Sequence, residues 1–151
     1  IELGTSLGIT TLYLAKANSK IPVYTIEGCP HIASIAKDNF KKLGADNIKN
    51  IVGNFDIEFP KLLNEIKEIG MLYIDGNHAK RPTLEYFEKA LSGINENTII
   101  VFDDIHWSKE MEEAWMEIIK HKKITLSVDF FKIGIVFFDK KLSKQHFIIN
   151  F

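Results

Sequence analysis

The sequence predicts an α/β protein with a doubly wound, mostly parallel sheet and helices on both faces, and three observations carry that prediction. Short β-rich apolar runs alternate with amphipathic helical patterns through the first four fifths of the chain. Each run closes on glycine or a single polar residue, as parallel strands do where they hand over to a helix. Past residue 123 the alternation stops: Ile124–Phe130 and Ile133–Phe138 have too few residues between them for a crossover helix and must pair antiparallel. Five β/α units followed by a hairpin is the resulting architecture.

The opening strand runs straight into Glu2-Leu3-Gly4-Thr5-Ser6-Leu7-Gly8, and a short helix is expected from Thr10 to Ala17. Ile21–Ile26 is a strand ending at Glu27-Gly28. The next helix has Pro30 in its first turn and Gly44 just past its end, with Ile32, Ile35, Ala36, Phe40 and Leu43 on one face. Ile48–Val52 reads as a short buried strand, Gly53-Asn54-Phe55-Asp56 as a loop, and Pro60–Ile69 as a helix facing inward through Leu62, Leu63, Ile66 and Ile69. Met71–Ile74 is a strand closing on Asp75-Gly76-Asn77-His78, followed by a helix from about Pro82 to Leu91. Thr98–Phe102 is the fifth strand and runs into Asp103-Asp104-Ile105-His106-Trp107. Ser108 is positioned as an N-cap. Its helix carries glutamates early and lysines late, in accord with the helix dipole, and buries Met111, Ala114, Trp115, Ile118 and Ile119. Phe147–Phe151 is a candidate last strand.

A chain of 151 residues with 46% apolar and 26% charged residues makes one domain with an ordinary core. The net charge of -1 gives no reason to expect a nucleic-acid or anionic-membrane partner. No apolar run is long enough to span a bilayer. Cys29 is the single cysteine, so an internal disulfide is ruled out and a reducing cytoplasm is the expected location. Because the chain opens inside a strand without methionine, the expectation is a domain, residues 1–151, whose N-terminal part lies upstream. Self-association is left open.

In a parallel sheet, ligands bind beyond the carboxyl ends of the strands. The residues there are Glu2 with its glycine turn, Glu27, Asn54 with Phe55 and Asp56, Asp75, and Asp103-Asp104. The turn Gly4-Thr5-Ser6-Leu7-Gly8 between strand and helix is a socket for a nucleotide-like ligand, because glycine lets a ligand approach the backbone and the helix N-terminus favours anions. Its spacing differs from the Gly-x-Gly-x-x-Gly of dinucleotide folds. Thr5, Ser6 and Thr10 put hydroxyls around it, for a ligand carboxylate or for capping. Glu27 follows about twenty residues on, where an acidic side chain accepts ribose hydroxyls. Asp75, Asp103 and Asp104 converge if their strands are neighbours, which suits a hard divalent cation such as Mg²⁺. The alternative is that Asp104 caps a helix while Asp103 takes a backbone N–H. His78 and His106, close behind these aspartates, are candidates for proton transfer.

Together these residues resemble class I S-adenosylmethionine-dependent methyltransferases, and more narrowly the catechol and caffeoyl-CoA type of O-methyltransferase. Glu2-Leu3-Gly4-Thr5-Ser6-Leu7-Gly8 matches the cofactor motif and Thr25-Ile26-Glu27 the ribose-binding strand. Ile74-Asp75 with His78, and Asp103-Asp104-Ile105-His106-Trp107, stand where that family keeps its metal ligands and base. The family's usual Asn is Asp104 here, and its usual Lys is His78. The resemblance implies a Rossmann-like seven-stranded sheet with the last strand antiparallel. It also implies that Gly4 and Gly8 back the methionine, that Thr10 lies near its carboxylate, and that Phe55 and Asp56 lie along the adenine. The expected activity is methyl transfer from S-adenosylmethionine to a hydroxyl oxygen of a small molecule, with a divalent metal as candidate helper. A nicotinamide-dependent oxidoreductase and a non-catalytic cofactor-binding domain are the competing classes.

Overall fold

A computed structural model describes residues 1–149 and divides the chain into two compact units, Ile1–Glu65 and Ile66–Phe151. In the first unit, β1 (Glu2–Leu3), β2 (Val23–Glu27) and β3 (Ile48–Val52) pair in parallel in the order β3-β2-β1. Leu3 sits beside Ile26 and Glu27 beside Val52, so all three carboxyl ends emerge on one edge. The helices α1 (Ile9–Ala17), α2 (Pro30–Lys42) and α3 (Phe55–Glu65) connect and cover these strands.

The buried stripe of α2 is Ala33, Ala36 and Phe40 rather than the larger aliphatics the sequence pattern favoured; Ile35 and Leu43 are exposed. Alanines let the helix approach the sheet closely and leave one large ring to fill the remaining space. That ring fixes Gly8. Gly8 has φ 79°, and a Cβ there would come within 2.3 Å of Phe40 Cε1. The expected buried strand at 48–52 is half-exposed along β3, with Lys49 and Val52 in solvent, because β3 has a strand partner on one side only within its unit. The expected loop at 53–56 is already helix from Phe55 on. Asn54 Oδ1 accepts the Asp56 N–H at 2.8 Å, and its carbonyl accepts those of Ile57 and Glu58, so capping starts α3 five residues before Pro60. The helix ends at Glu65, leaving Ile69 buried outside it.

The second unit contains β4 (Met71–Ile74), α4 (Lys80–Ala90), β5 (Ile99–Phe102), α5 (Lys109–Ile118), β6 (Leu126–Asp129), β7 (Gly134–Phe137) and β8 (Gln145–Ile148). Its strand order is β4-β5-β7-β6-β8. β4 and β5 are parallel, β7 is antiparallel to both β5 and β6, and β8 runs parallel to β6. The hairpin is therefore as predicted, but the described strands number eight in place of seven. The added strand, β8, begins two residues before the candidate last segment and overlaps it at Phe147 and Ile148; residues 150–151 of that segment fall outside the described part. Ser108 Oγ accepts the Met111 N–H at 3.2 Å, making it the N-cap of α5. α4 and α5 share one face of the sheet, since Phe87 and Trp115 both pack on Phe102, with ring centroids 6.1 and 6.0 Å apart. Trp115 also covers Gly134, where a Cβ would meet its ring at 2.7 Å.

Candidate active site

In the first unit the residues singled out from sequence gather on the edge where β1, β2 and β3 end. Gly4 adopts φ 107° and Ser6 φ 47°, a left-handed turn that needs glycine at the first position and holds serine strained at the second. That turn aims the Ser6 N–H at Glu27, whose Oε2 accepts it at 2.9 Å, while Oε1 accepts the Cys29 N–H at 2.9 Å. A carboxylate offers about four acceptor positions. Two backbone amides hold this one in place and leave acceptor capacity for a diol. Gly28 lies beside the Gly53 carbonyl, 3.9 Å from where its Cβ would stand, so nothing bulky crowds the end of β2.

Other candidates turn inward. Glu2 is fully buried, and its Oε2 accepts the hydroxyls of Thr11 and, at 2.5 Å, Thr25, while Thr5 and Thr25 share a hydrogen bond of 2.6 Å. Burial pushes the Glu2 carboxyl above its ordinary value, against the two threonine bonds that favour its ionised form. Glu2 Oε1 has no hydrogen-bond partner among the described residues. Glu2 and Thr5 thus brace the turn from beneath. Gly8 spends its missing side chain on Phe40, and Asn54 spends its amide on α3. Ser6 and Asp56 are exposed, and Gly4, Thr10 and Phe55 are partly so. This arrangement fits an adenosine-bearing cofactor: an oriented carboxylate for the ribose, a glycine turn and a helix N-terminus.

In the second unit, β4 and β5 are neighbours, and the Asp103 N–H continues their ladder to the Ile74 carbonyl at 2.9 Å. Asp75 and Asp103 therefore follow adjacent strand ends, as expected. Asp104, with φ 53°, starts a turn in which its carbonyl accepts the Trp107 N–H at 2.9 Å. Among the described residues no three His, Cys, Asp or Glu side chains lie close enough together to hold a metal ion. As placed here, the Asp75, Asp103 and Asp104 set does not fit a divalent cation. His78 Nε2 stands 3.6 Å from Asp75 Oδ1, wider than a hydrogen bond. His106 is held far more firmly. Its Nε2 lies 2.8 Å from Oδ2 of Asp129, a residue sequence reasoning passed over. The available signal was Ser127 and Asp129 alternating with apolar residues in β6, which places a carboxylate on a buried face.

Asp129 is 4% exposed and takes three donors: His106, the Trp115 indole N–H at 3.2 Å to Oδ2, and the Phe131 N–H at 2.8 Å to Oδ1. Burial alone would raise its pKa, but the bonds from His106, Phe131 and Trp115 outweigh it and hold the carboxyl below the usual carboxylate range.

The family profile described as a methyltransferase domain matches residues 1–105. The O-methyltransferase imqG of Aspergillus flavus is 30% identical over 111 residues, which is 70% of this chain and 44% of that protein. The chain thus spans less than half the length of this curated relative. The SAH-bound methyltransferase PaMTH1 of Podospora anserina superimposes with a TM-score of 0.75 at 18% identity, covering 91% of this chain and 70% of that one. The O-methyltransferase of Bacillus cereus in complex with SAH gives 0.73 at 20% identity, over 90% and 72%. These likenesses show a Rossmann-like fold shared with methyltransferases, and the profile covers both the glycine turn and the strand ends of β4 and β5. The chain belongs to the methyltransferase-domain family.

Proposed function

We propose that this chain transfers the methyl group of S-adenosylmethionine to a hydroxyl oxygen of a small molecule. The observation that carries the proposal is the Glu27 carboxylate, clamped by the Ser6 and Cys29 amides beside the Gly4 turn with acceptor capacity to spare. The cofactor supplies an electrophilic methyl on a sulfonium, so the protein chiefly binds and orients. In this reading Glu27 and Gly28 take the ribose, while Gly4, Ser6 and Thr10 face the methionine end. Phe55 and Asp56 flank the adenine. Glu2, Thr5, Gly8 and Asn54 shape the turn and the α3 start. Asp75, His78 and His106, all in the second unit, are the candidates for the chemical step, the two histidines as bases.

Oxygen is favoured over nitrogen because Ile74 leads into Asp75-Gly76-Asn77-His78, without the Asn/Asp-Pro-Pro-aromatic run of many amino-methylating relatives. The relative from Aspergillus flavus bears an O-methyltransferase name, in accord with this choice. The family match leaves the nicotinamide-dependent alternative without support. No helix among the described residues is long and apolar enough to cross a membrane. The lone exposed Cys29 suits a reducing, cytoplasmic setting.

Calorimetry with S-adenosylhomocysteine, followed by transfer assays on catechol, caffeate and kaempferol, tests the proposal. Binding with turnover of one of these is the expected result. Binding without turnover on any hydroxylated compound would make the chain a cofactor-binding domain, and tight nicotinamide-nucleotide binding alone would overturn the assignment.

A further inference from the structure

The second unit contains a polar cluster that the methyl-transfer reading does not by itself require. Asp129 is buried at the end of β6, and burying a carboxylate is costly unless donors surround it. Three donors do so, from three separate places: the loop after β5 (His106), α5 (Trp115) and the hairpin turn (Phe131). Phe131 holds φ 70°, a strained value for an aromatic residue, and its ring stacks on His106 with centroids 5.7 Å apart and planes 25° apart. The imidazole is therefore fixed both by a short hydrogen bond and by a ring face. Because a carboxylate only accepts, the ring nitrogen facing it carries the proton. His106 Nδ1 is then the lone-pair nitrogen, it has no hydrogen-bond partner among the described residues, and the side chain is 26% exposed.

We propose that Asp129 is a positioning residue that fixes His106 in its Nε2–H form, leaving Nδ1 as the base for the acceptor hydroxyl. The proposal rests on the O-methyl-transfer reading and selects His106 over His78, whose carboxylate neighbour stands at 3.6 Å. In the step, the acceptor O–H bond breaks and its proton passes to Nδ1. The oxygen's electron pair forms the new C–O bond, and the methyl–sulfur pair leaves with sulfur as a neutral thioether. The imidazolium that results is stabilised by the Asp129 carboxylate until it gives its proton to solvent.

The test combines nitrogen NMR of the labelled full chain with kinetics. The wild-type His106 should show a protonated Nε2 and an unprotonated Nδ1; the opposite tautomer would overturn the proposal. Asp129→Asn can donate its amide to Nε2 and should shift the ring towards the Nδ1–H form. It should lower kcat by about 10²-fold or more, with the KM for S-adenosylmethionine little changed. His106→Ala should lose as much, and the double variant no more than either single one. Trp115→Phe removes another donor from the same carboxylate but should keep the tautomer and most of kcat; a merely structural Asp129 predicts comparable losses for both. Transfer undiminished in Asp129→Asn and His106→Ala would overturn the base alone. A wild-type chain that binds S-adenosylhomocysteine but transfers no methyl group would overturn the reading beneath it.

Discussion

Replacing Glu27 by alanine removes the carboxylate that the Ser6 and Cys29 amides orient at the end of β2, and its effect follows from the geometry. A carboxylate that accepts two ribose hydroxyls makes two charge-assisted bonds, each contributing about 1.5–3 kcal/mol. Glu27 is only partly buried, so water competes for it and the lower end applies. The sum is about 3 kcal/mol, or about a hundredfold weaker binding. The Ser6 and Cys29 amides also lose their acceptor, which loosens the turn and acts in the same direction. Glu27→Gln keeps one acceptor oxygen and should lose about tenfold. Calorimetric titration with S-adenosylhomocysteine reads both variants. Thermal melts should stay close to wild type, because Glu27 lies outside the apolar core. A folded alanine variant that binds within about threefold of wild type would refute the reasoning and reduce Glu27 to a strand-end residue.

Gly8→Ala meets both a left-handed backbone and the Phe40 ring, so chemical denaturation should show a loss of about 2–4 kcal/mol. Adding Phe40→Ala removes the clash but not the backbone cost, and the two changes should be non-additive; strict additivity would mean that ring and turn do not touch. Asp129 has a folded pKa below its unfolded value, so the stability it contributes is present above about pH 4 and lost as pH falls through the folded value. The stability gap between wild type and Asp129→Asn in urea should therefore narrow on acidification below pH about 4, and a gap that ignores pH would contradict the assigned bonds. Excess chelator should leave methyl transfer intact, because the three aspartates do not gather. Loss of activity that Mg²⁺ restores would show that they close around a cation.

How much of this was legible in the sequence depended on how local each feature is. Capping by Ser108, the turn at Gly4 and the hairpin after Ile124 all depend on residues within a few positions of one another, and all appear where expected. α3 starts five residues ahead of the expected Pro60 because Asn54 supplies the cap. The α2 stripe agrees with expectation at Ala36 and Phe40 and departs from it at Ile35 and Leu43, for a different reason. Helical periodicity marks which residues share a face, but closeness of packing decides between Ala33 and Ile35.

The alternation of strand and helix, the glycine turn and an acidic residue about twenty positions later were determined by the sequence alone. Periodicity, turn chemistry and caps act between near neighbours, and those features sufficed for the fold class. Only the tertiary structure decided that Phe40 fills the space at Gly8 and that Asp75, Asp103 and Asp104 form no three-carboxylate cluster among the described residues. It alone brought Asp129 to His106 across a separation of 23 residues. Such contacts depend on strand order and on which side chains the core has room to bury, and no spacing along the chain encodes either.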